Sequence, residues 1–423
     1  MSSRAEVMRM RGAPPLSVAM VTHDLALDRR ILHEAESLTA SGYEVLIANP
    51  EGVRSFPFVQ EQREDLMGVA PLPPRSPIAE AVRIGSRVVR ALGLRPSWFR
   101  GLVQRHLGPV EYYYTPLLAP VLRDLRAEIF VAHDLPTLPA TLAAAARCGG
   151  VPVVYDSHEL FPEQGYPPAE AAYWARLEAR HIGRAAAVMT VNRSIAEEMA
   201  KRYQIRMPAI LRNCTPRLAP RSTTGELHER LGLPPGTSVA LFQGRLEHHT
   251  RVETLVRAWA LLGDLPLHLV LVGGGSLTEE MAALVVQLGL AGRVHLHPHV
   301  PQAELASLTA CASVGLIPYQ PTCLNNRLCT PNKLFEYIAA EVPVISTDLP
   351  EIRRIVAAYG VGVLGTTGTP EEVAALVRRY AAELADDPAL PSRSACAAEE
   401  LDWSREARVL LQTFEGLAIG RAT

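Results

Sequence analysis

Apolar residues along this chain fall mostly into short unbroken runs of strand length. Each is closed by polar residues and followed by a stretch in which apolar positions recur every three or four residues. The first run, LSVAMVTH at 16–23, reads as a buried parallel strand. In LDRRILHEAESLTASG, which follows, Ile31, Leu32, Ala35 and Leu38 share one helical face and Gly42 supplies the stop; YEVLIANP is the next strand. The alternation returns at EIFVAHD (128–134), LPATLAAAARCGG and VPVVYDSHE, and again near AAVMTVN. After the Pro, Ser and Thr-rich AILRNCTPRLAPRSTTGE it restarts with SVALFQGRL at 238, then LHLVLVGGG, RVHLHPHV, VGLIPY and PVISTD. Strands alternating with helices predict a parallel, doubly wound α/β sheet, and the restart predicts two of them. The expected layout is a disordered tail at 1–15, a first Rossmann-like domain at 16–213, a linker at 214–236 and a second Rossmann-like domain at 237–400. A final amphipathic helix within 401–423 is expected to cross back to the first domain. Ligands of such sheets bind beyond the carboxyl ends of the strands, so the chemistry is expected in a central cleft between the two domains.

Composition agrees with this division. A chain of 423 residues exceeds the size at which one hydrophobic core stops growing, roughly 250–300 residues. Its 48% hydrophobic content is enough for two cores. A net charge of −2 and a pI of about 6.7 exclude a global pull toward nucleic acid. Six scattered cysteines do not form a disulfide framework and point to a reducing, cytoplasmic setting. No uncharged apolar run reaches the ~18 residues of a membrane span. The exception to the even charge is 82–106, which holds Arg83, Arg87, Arg90, Arg95, Arg100 and Arg105 with Trp98 and Phe99 and no acid. A segment of this kind suits peripheral contact with the inner membrane face or a lipid-linked ligand. A solvated helix face in an arginine-rich chain is the favoured reading.

The most informative stretch chemically is TPNKLFEYIAAEVPVISTDLPE, 330–351. Thr330 is expected to cap a helix, with Pro331 in its first position. Asn332, Lys333 and Glu336 then share one face, and Leu334, Phe335, Ile338 and Ala339 the other. A helix N-terminus with a lysine suits phosphate oxygens, and a glutamate one turn deeper suits the vicinal hydroxyls of a sugar. Taken alone, a capped surface helix with a Lys/Glu pair accounts for the pattern equally well.

Together with LFQGRLEHHTRVETLVRAWALL, LVLVGGGS and ASVGLIPY, this stretch resembles the nucleotide-sugar domain of glycosyltransferase family 4, enzymes of the GT-B fold. LDRRILHEAESLTASGYEVLIANP and VAHDLPTLPATLAAAARCGGVPVVYDSHELFPE extend the likeness, which runs from about 16 to 415. It implies a donor site in which Glu336 grips the ribose and Arg245, Lys333 and the backbone at Gly244 meet the diphosphate. Arg251, Gly274, His299, Asn326, Thr330, Asn332 and Leu334 complete that set. It implies further that His133 and Asp134 face the transferred sugar, and that His23, Asp28, Arg29, Asp156, His158 and Glu159 lie on the acceptor side. Two positions depart from the family pattern. Leu328 stands where a glutamate is expected, which shifts sugar contacts to Asn325, Asn326 or loop amides. Thr250 replaces a basic residue, with Arg251 beside it.

The resemblance implies a retaining transfer from a nucleotide diphosphate-sugar to a hydroxyl of a glycan, a lipid-linked molecule or a small molecule. No Asp-x-Asp pair occurs, so neither metal nor cofactor is expected. The leaving phosphate would help deprotonate the acceptor in a front-face attack, with domain closure excluding water. An epimerase or hydrolase of the same fold, or a noncatalytic subunit that binds sugar nucleotides, remains the alternative. His295, His297 and His299 alternate along an expected strand without an accompanying carboxylate, and Cys323 and Cys329 lack a second pair, so neither group is read as a metal site.

Overall fold

The computed structural model describes residues 15–57, 108–217 and 225–419. Residues 1–14 of the expected tail and the basic segment at 82–106 lie outside the described residues. The chain divides into two compact units, one of residues 1–191, 195–211 and 407–423, the other of 192–194 and 212–406.

The first unit is built on β1 (Ser17–Val21), α1 (Arg29–Ala40), β2 (Glu44–Asn49), β3 (Gly52–Ser55), α2 (Thr115–Leu122), β4 (Ile129–His133), α3 (Leu138–Arg147), β5 (Val153–Ser157), α4 (Pro168–His181), β6 (Ala187–Thr190), α5 (Arg193–Tyr203) and β7 (Ala209–Ile210). Its sheet runs β3-β2-β1-β4-β5-β6-β7, parallel throughout except for β3, which returns antiparallel beside β2. Val18 to Val21 and Phe130 to Ala132 are wholly buried, as expected where helices cover both faces of a parallel sheet. The strand order reverses between β1 and β4, placing a topological switch point beside the carboxyl end of β4, where His133 is the last strand residue.

The second unit continues with α6 (Glu226–Leu231), β8 (Ser238–Gln243), α7 (Val252–Ala260), β9 (Leu267–Val272), α8 (Thr278–Gln287), β10 (Val294–His297), α9 (Gln302–Ala310), β11 (Val314–Ile317), α10 (Leu324–Leu328), α11 (Asn332–Ala339), β12 (Val344–Thr347), α12 (Pro350–Tyr359), β13 (Gly362–Gly365), α13 (Pro370–Glu383) and α14 (Leu390–Glu400); the last helix, α15 (Trp403–Ile419), begins in this unit and belongs to the first from Ala407 onward. Its sheet, β10-β9-β8-β11-β12-β13, is wholly parallel and switches between β8 and β11. No helix of the described residues is long and apolar enough to cross a membrane.

Three local expectations need correction. The helix at 330 begins one residue later than its cap signal suggested. Pro331 occupies the cap position in an extended conformation and Asn332 is the first helical residue, while Thr330 is buried behind it. The capped surface Lys/Glu pair, left open as an alternative for this helix, does not occur, because Lys333 and Glu336 are buried with the apolar residues around them. Within 214–236, expected as a linker, α6 inserts Leu227 into the core of the second unit. The Pro/Ser/Thr signal ends before that helix starts.

Candidate functional site

The carboxyl ends of β4 and β5 in the first unit carry a compact polar cluster. Asp156, on β5, is wholly buried and both of its oxygens are taken by Arg30 of α1: Nε donates to Oδ2 at 2.8 Å and a terminal nitrogen to Oδ1 at 2.6 Å. The other terminal nitrogen of Arg30 donates to the Leu211 carbonyl at 2.6 Å. His133 Nδ1 lies 3.2 Å from Asp156 Oδ2, and His158 Nε2 lies 2.9 Å from the same oxygen. His158 Nδ1 faces Asp134 Oδ2 at 3.4 Å, and the His158 amide donates to Asp134 Oδ1 at 3.0 Å. Asp134 holds a left-handed backbone, φ 62°, at the turn out of β4, a strained conformation of the kind that collects at functional sites. Thr137 ties that turn down by donating to the carbonyls of His133 and Asp134.

The electrostatics follow from these contacts. Burial opposes charge on both His158 and Asp156, but is outweighed in each case. The Asp134 and Asp156 carboxylates push His158 up to about 10, so it is a cation at neutral pH. Arg30 and His158 hold Asp156 well below the usual carboxylate range. Burial wins at His133, whose pKa is lowered despite Asp156, leaving a neutral ring. Burial, with the Asp156 charge, also raises Glu34 well above its ordinary value. His133, Asp156 and His158 each offer a ligand atom within 4.8 Å of the others, the spacing of a metal site. A guanidinium already bound to both Asp156 oxygens makes that cluster a poor host for a divalent cation.

In the second unit the site forms where the ends of β8 and β11 meet the first turn of α11. The Lys333 ammonium lies 4.0 Å from the ring centre of Phe242, the penultimate residue of β8, and 5.0 Å from that of Tyr319 beyond β11. Lys333 is 7% exposed and makes no ion pair or hydrogen bond among the described residues. Burial pulls its pKa down to about 8, with Glu336 opposing. Glu336 itself accepts from Gln243 Nε2, and the side-chain oxygen Oε1 of Gln243 accepts from the Thr309 hydroxyl at 2.8 Å, which fixes the amide's orientation. A Cβ at Gly244 would stand 3.4 Å from the Lys333 nitrogen, so glycine keeps the approach to the ammonium open.

The other residues singled out by sequence are more dispersed. Arg245 is half exposed and pairs with Glu247 at 3.2 Å. Glu247 also accepts from the Ser276 amide and hydroxyl, which hold its pKa down at about 2. Arg251 adopts φ 60° at the start of α7 and donates to the Gly368 carbonyl. Gly274 faces open space and its carbonyl accepts from the Leu246 amide. His299 is exposed beyond the end of β10, so the expected three-histidine alternation stops at His297. Asn326 donates to Thr322, Asn332 accepts from Asn213, and Leu334 is core. In the first unit Asp28 caps α1 through the Arg30 amide, Arg29 follows it half buried, and His23 stands edge-on to Tyr114. Glu159 is half buried, its carbonyl accepting from Ser157.

The family described as "Glycosyl transferase 4-like domain" matches residues 26–213, and that described as "Glycosyl transferases group 1" matches 237–383. The chain belongs to this glycosyltransferase family. A D-inositol 3-phosphate glycosyltransferase of Thermomonospora curvata is 30% identical over 216 residues, 46% of this chain and 47% of the relative. The chain thus spans about half the length of the curated relatives it matches first. Two solved structures share the GT-B fold. Sucrose-phosphate synthase from Thermosynechococcus elongatus has a TM-score of 0.64 at 18% identity, covering 96% of this chain and 100% of that one. The Anabaena protein HepE, in complex with UDP and glucose, has a TM-score of 0.66 at 15% identity, covering 95% and 100%.

Within this glycosyltransferase fold, sequence reading missed Arg30 and Glu34 in the first unit and Phe242, Gln243, Thr309 and Tyr319 in the second. The first pair left a signal: both charges sit at helical spacing among Ile31, Ala35 and Leu38, on the face that must be buried. The others left none, because they converge from separate elements.

Proposed function

We propose that this protein is a retaining, metal-independent glycosyltransferase that moves a sugar from a nucleoside diphosphate-sugar to a hydroxyl acceptor. The observation that carries the reading is Lys333, an ammonium buried without an ion-pair partner among the described residues, beside a glycine that leaves it approachable. An isolated buried cation is unfavourable, and an anionic ligand relieves it. A diphosphate at the switch point of β8 and β11 would meet Lys333, the Gly244 backbone and the first turn of α11. Arg245, carried on the exposed loop after β8, would exchange Glu247 for a phosphate oxygen. Glu336, oriented by Gln243, would hold the ribose.

The chemistry asked of these groups is stabilisation of negative charge on the leaving diphosphate. One preorganised donor of this type is worth about 3–4 kcal/mol in a water-poor site. In the first unit, His133 and Asp134 would face the transferred sugar, with His23, Asp28, Arg29, Asp156, His158 and Glu159 toward the acceptor. Of that group, Asp156 would act through its neighbours, since both its oxygens are already bound.

The reading is tested by thermal shift with UDP, GDP and dTDP, followed by incubation with nucleotide sugars with and without acceptors. A matching diphosphate at 100 times its Kd should stabilise by about 2.7 kcal/mol. Arg245→Ala should then lower turnover a hundredfold or more. Stabilisation by none of the diphosphates, or sugar release that ignores the acceptor, would overturn the transferase reading.

A further inference from the structure

His133 is buried and neutral, and its Nδ1 faces a carboxylate oxygen at 3.2 Å. His158 Nε2 also lies 3.3 Å from that Nδ1, but its proton is directed to the nearer Asp156 Oδ2 at 2.9 Å; a carboxylate only accepts hydrogen bonds, so the Nδ1 facing it carries the proton and Nε2 a bare lone pair. That Nε2 is inaccessible and finds no donor among the described residues. A buried acceptor without a donor marks a place where a bound molecule completes the structure.

What holds Asp156 against Nδ1 is Arg30. Its fork grips both carboxylate oxygens from α1, at 2.8 and 2.6 Å, and is itself anchored on the Leu211 carbonyl of the stretch that follows β7. The groups facing the imidazole and its carboxylate are Arg30 and Glu34 from α1, Asp134 after β4, and Asp156 and His158 from the end of β5. The His158 cation spans Asp156 and Asp134, leaving Asp156 as the acceptor for the His133 Nδ1 proton.

We propose that Arg30 is a positioning residue: by clamping both oxygens of Asp156 it fixes His133 as the Nδ1–H tautomer, presenting a bare Nε2 that accepts a hydrogen bond from a sugar or polyol hydroxyl of the bound substrate. The role of that hydroxyl rests on the transferase reading above, whereas the tautomer does not. A guanidinium suits this task because a two-pronged planar grip orients a carboxylate, while an ammonium supplies charge without orientation. In other enzymes, loss of a group that orients a functional histidine lowers activity by 10–100-fold at metal sites and by about 10⁴-fold at a serine-protease triad.

The test needs no substrate in its first arm. Long-range ¹H–¹⁵N spectra of the full chain labelled at histidine, with His133 assigned by the signal lost in His133→Gln, should show a protonated Nδ1 and an unprotonated Nε2. A protonated Nε2 in the unmodified protein would overturn the proposal without bearing on transfer. Arg30→Lys keeps the charge and should fold, yet show a mixture of tautomers and a 10–100-fold lower kcat with an unchanged donor KM on the substrates found above. A variant retaining a single Nδ1–H tautomer and full kcat would equally overturn it. Should Arg30→Lys fail to fold, Asp156→Asn gives the same reading, because an amide nitrogen turned toward the ring donates to Nδ1 and moves the ring proton to Nε2; a single Nδ1–H tautomer with full kcat in that variant would overturn the proposal.

Discussion

Lys333 shows how one residue can carry stability and binding in opposite directions. Its pKa of about 8, against an ordinary 10.5, means that the unfolded chain holds this proton over a pH range where the folded chain has released it. Stability therefore rises with pH between about 8 and 10.5, and the penalty is complete below that window. The full shift corresponds to roughly 3 kcal/mol. Lys333→Met keeps the apolar stem against Phe242 and Tyr319 and removes the charge. At pH 7 it should stabilise the ligand-free protein by up to about 3 kcal/mol in calorimetric melts, an advantage that shrinks as the pH approaches 10. The same variant should lose the stabilisation that a nucleoside diphosphate confers on the parent protein. A parent and a variant that melt alike at every pH would mean that the ammonium is solvated after all. Glu336 belongs to the same scale: its carboxylate is oriented before any ligand arrives, because Gln243 is held in turn by Thr309.

At the level of elements, the turns leaving β8 and β9 are packed backbone against backbone. The Gly244 amide donates to the Val272 carbonyl, and the Leu246 amide to the Gly274 carbonyl. Gly273 has φ +147°, and a Cβ there would fall 1.9 Å from the Gly244 carbonyl oxygen, so neither the conformation nor the space admits a side chain. Gly274, next to it, has nothing within 4 Å of the same atom. Gly273→Ala should cost at least ~2 kcal/mol of stability in denaturant unfolding, whereas Gly274→Ala should stay within about 0.5 kcal/mol of the parent. If the loop receives a nucleotide, Gly274→Ala should still weaken diphosphate binding, since its methyl enters the open space. Equal stability of the two variants would show that the close approach is relieved by a small shift of the loop. Glycine density in LVGGGS was legible in sequence; which glycine is obligatory was not, because that depends on a strand distant in sequence.

For the chain as a whole, α15 is, like α5, an element whose residues are divided between both units. Its first residues group with the second unit and those from Ala407 onward with the first. Glu406, on one side of that division, accepts from the Arg212 amide and side chain at 2.8 and 2.9 Å. Phe414, on the other, is wholly buried and meets Tyr43 edge-on with ring centres 5.9 Å apart. Phe414→Ala leaves a large cavity in the first unit and should destabilise it by about 3–5 kcal/mol. In calorimetry the transition of the first unit should move down in temperature while that of the second holds. A common downward shift of one transition would show that the units unfold together.

Sequence alone determined the alternation of strands and helices, the presence of two sheets of mainly parallel strands and the family, because each rests on periodicity or on contiguous residues. It also singled out Lys333, Glu336, His133 and Asp156, each of which lies at or near the carboxyl end of a strand or the start of a helix. Tertiary structure decided what those residues are. Lys333 and Glu336 are buried, so what could have been a surface Lys/Glu pair is an ammonium without an ion-pair partner among the described residues and an oriented carboxylate. Asp156, placed by sequence at the acceptor, is the buried mate of Arg30, a residue 126 positions away. Desolvation and long-range pairing set the charge and direction of these groups, and both depend on neighbours that no local pattern in the chain encodes.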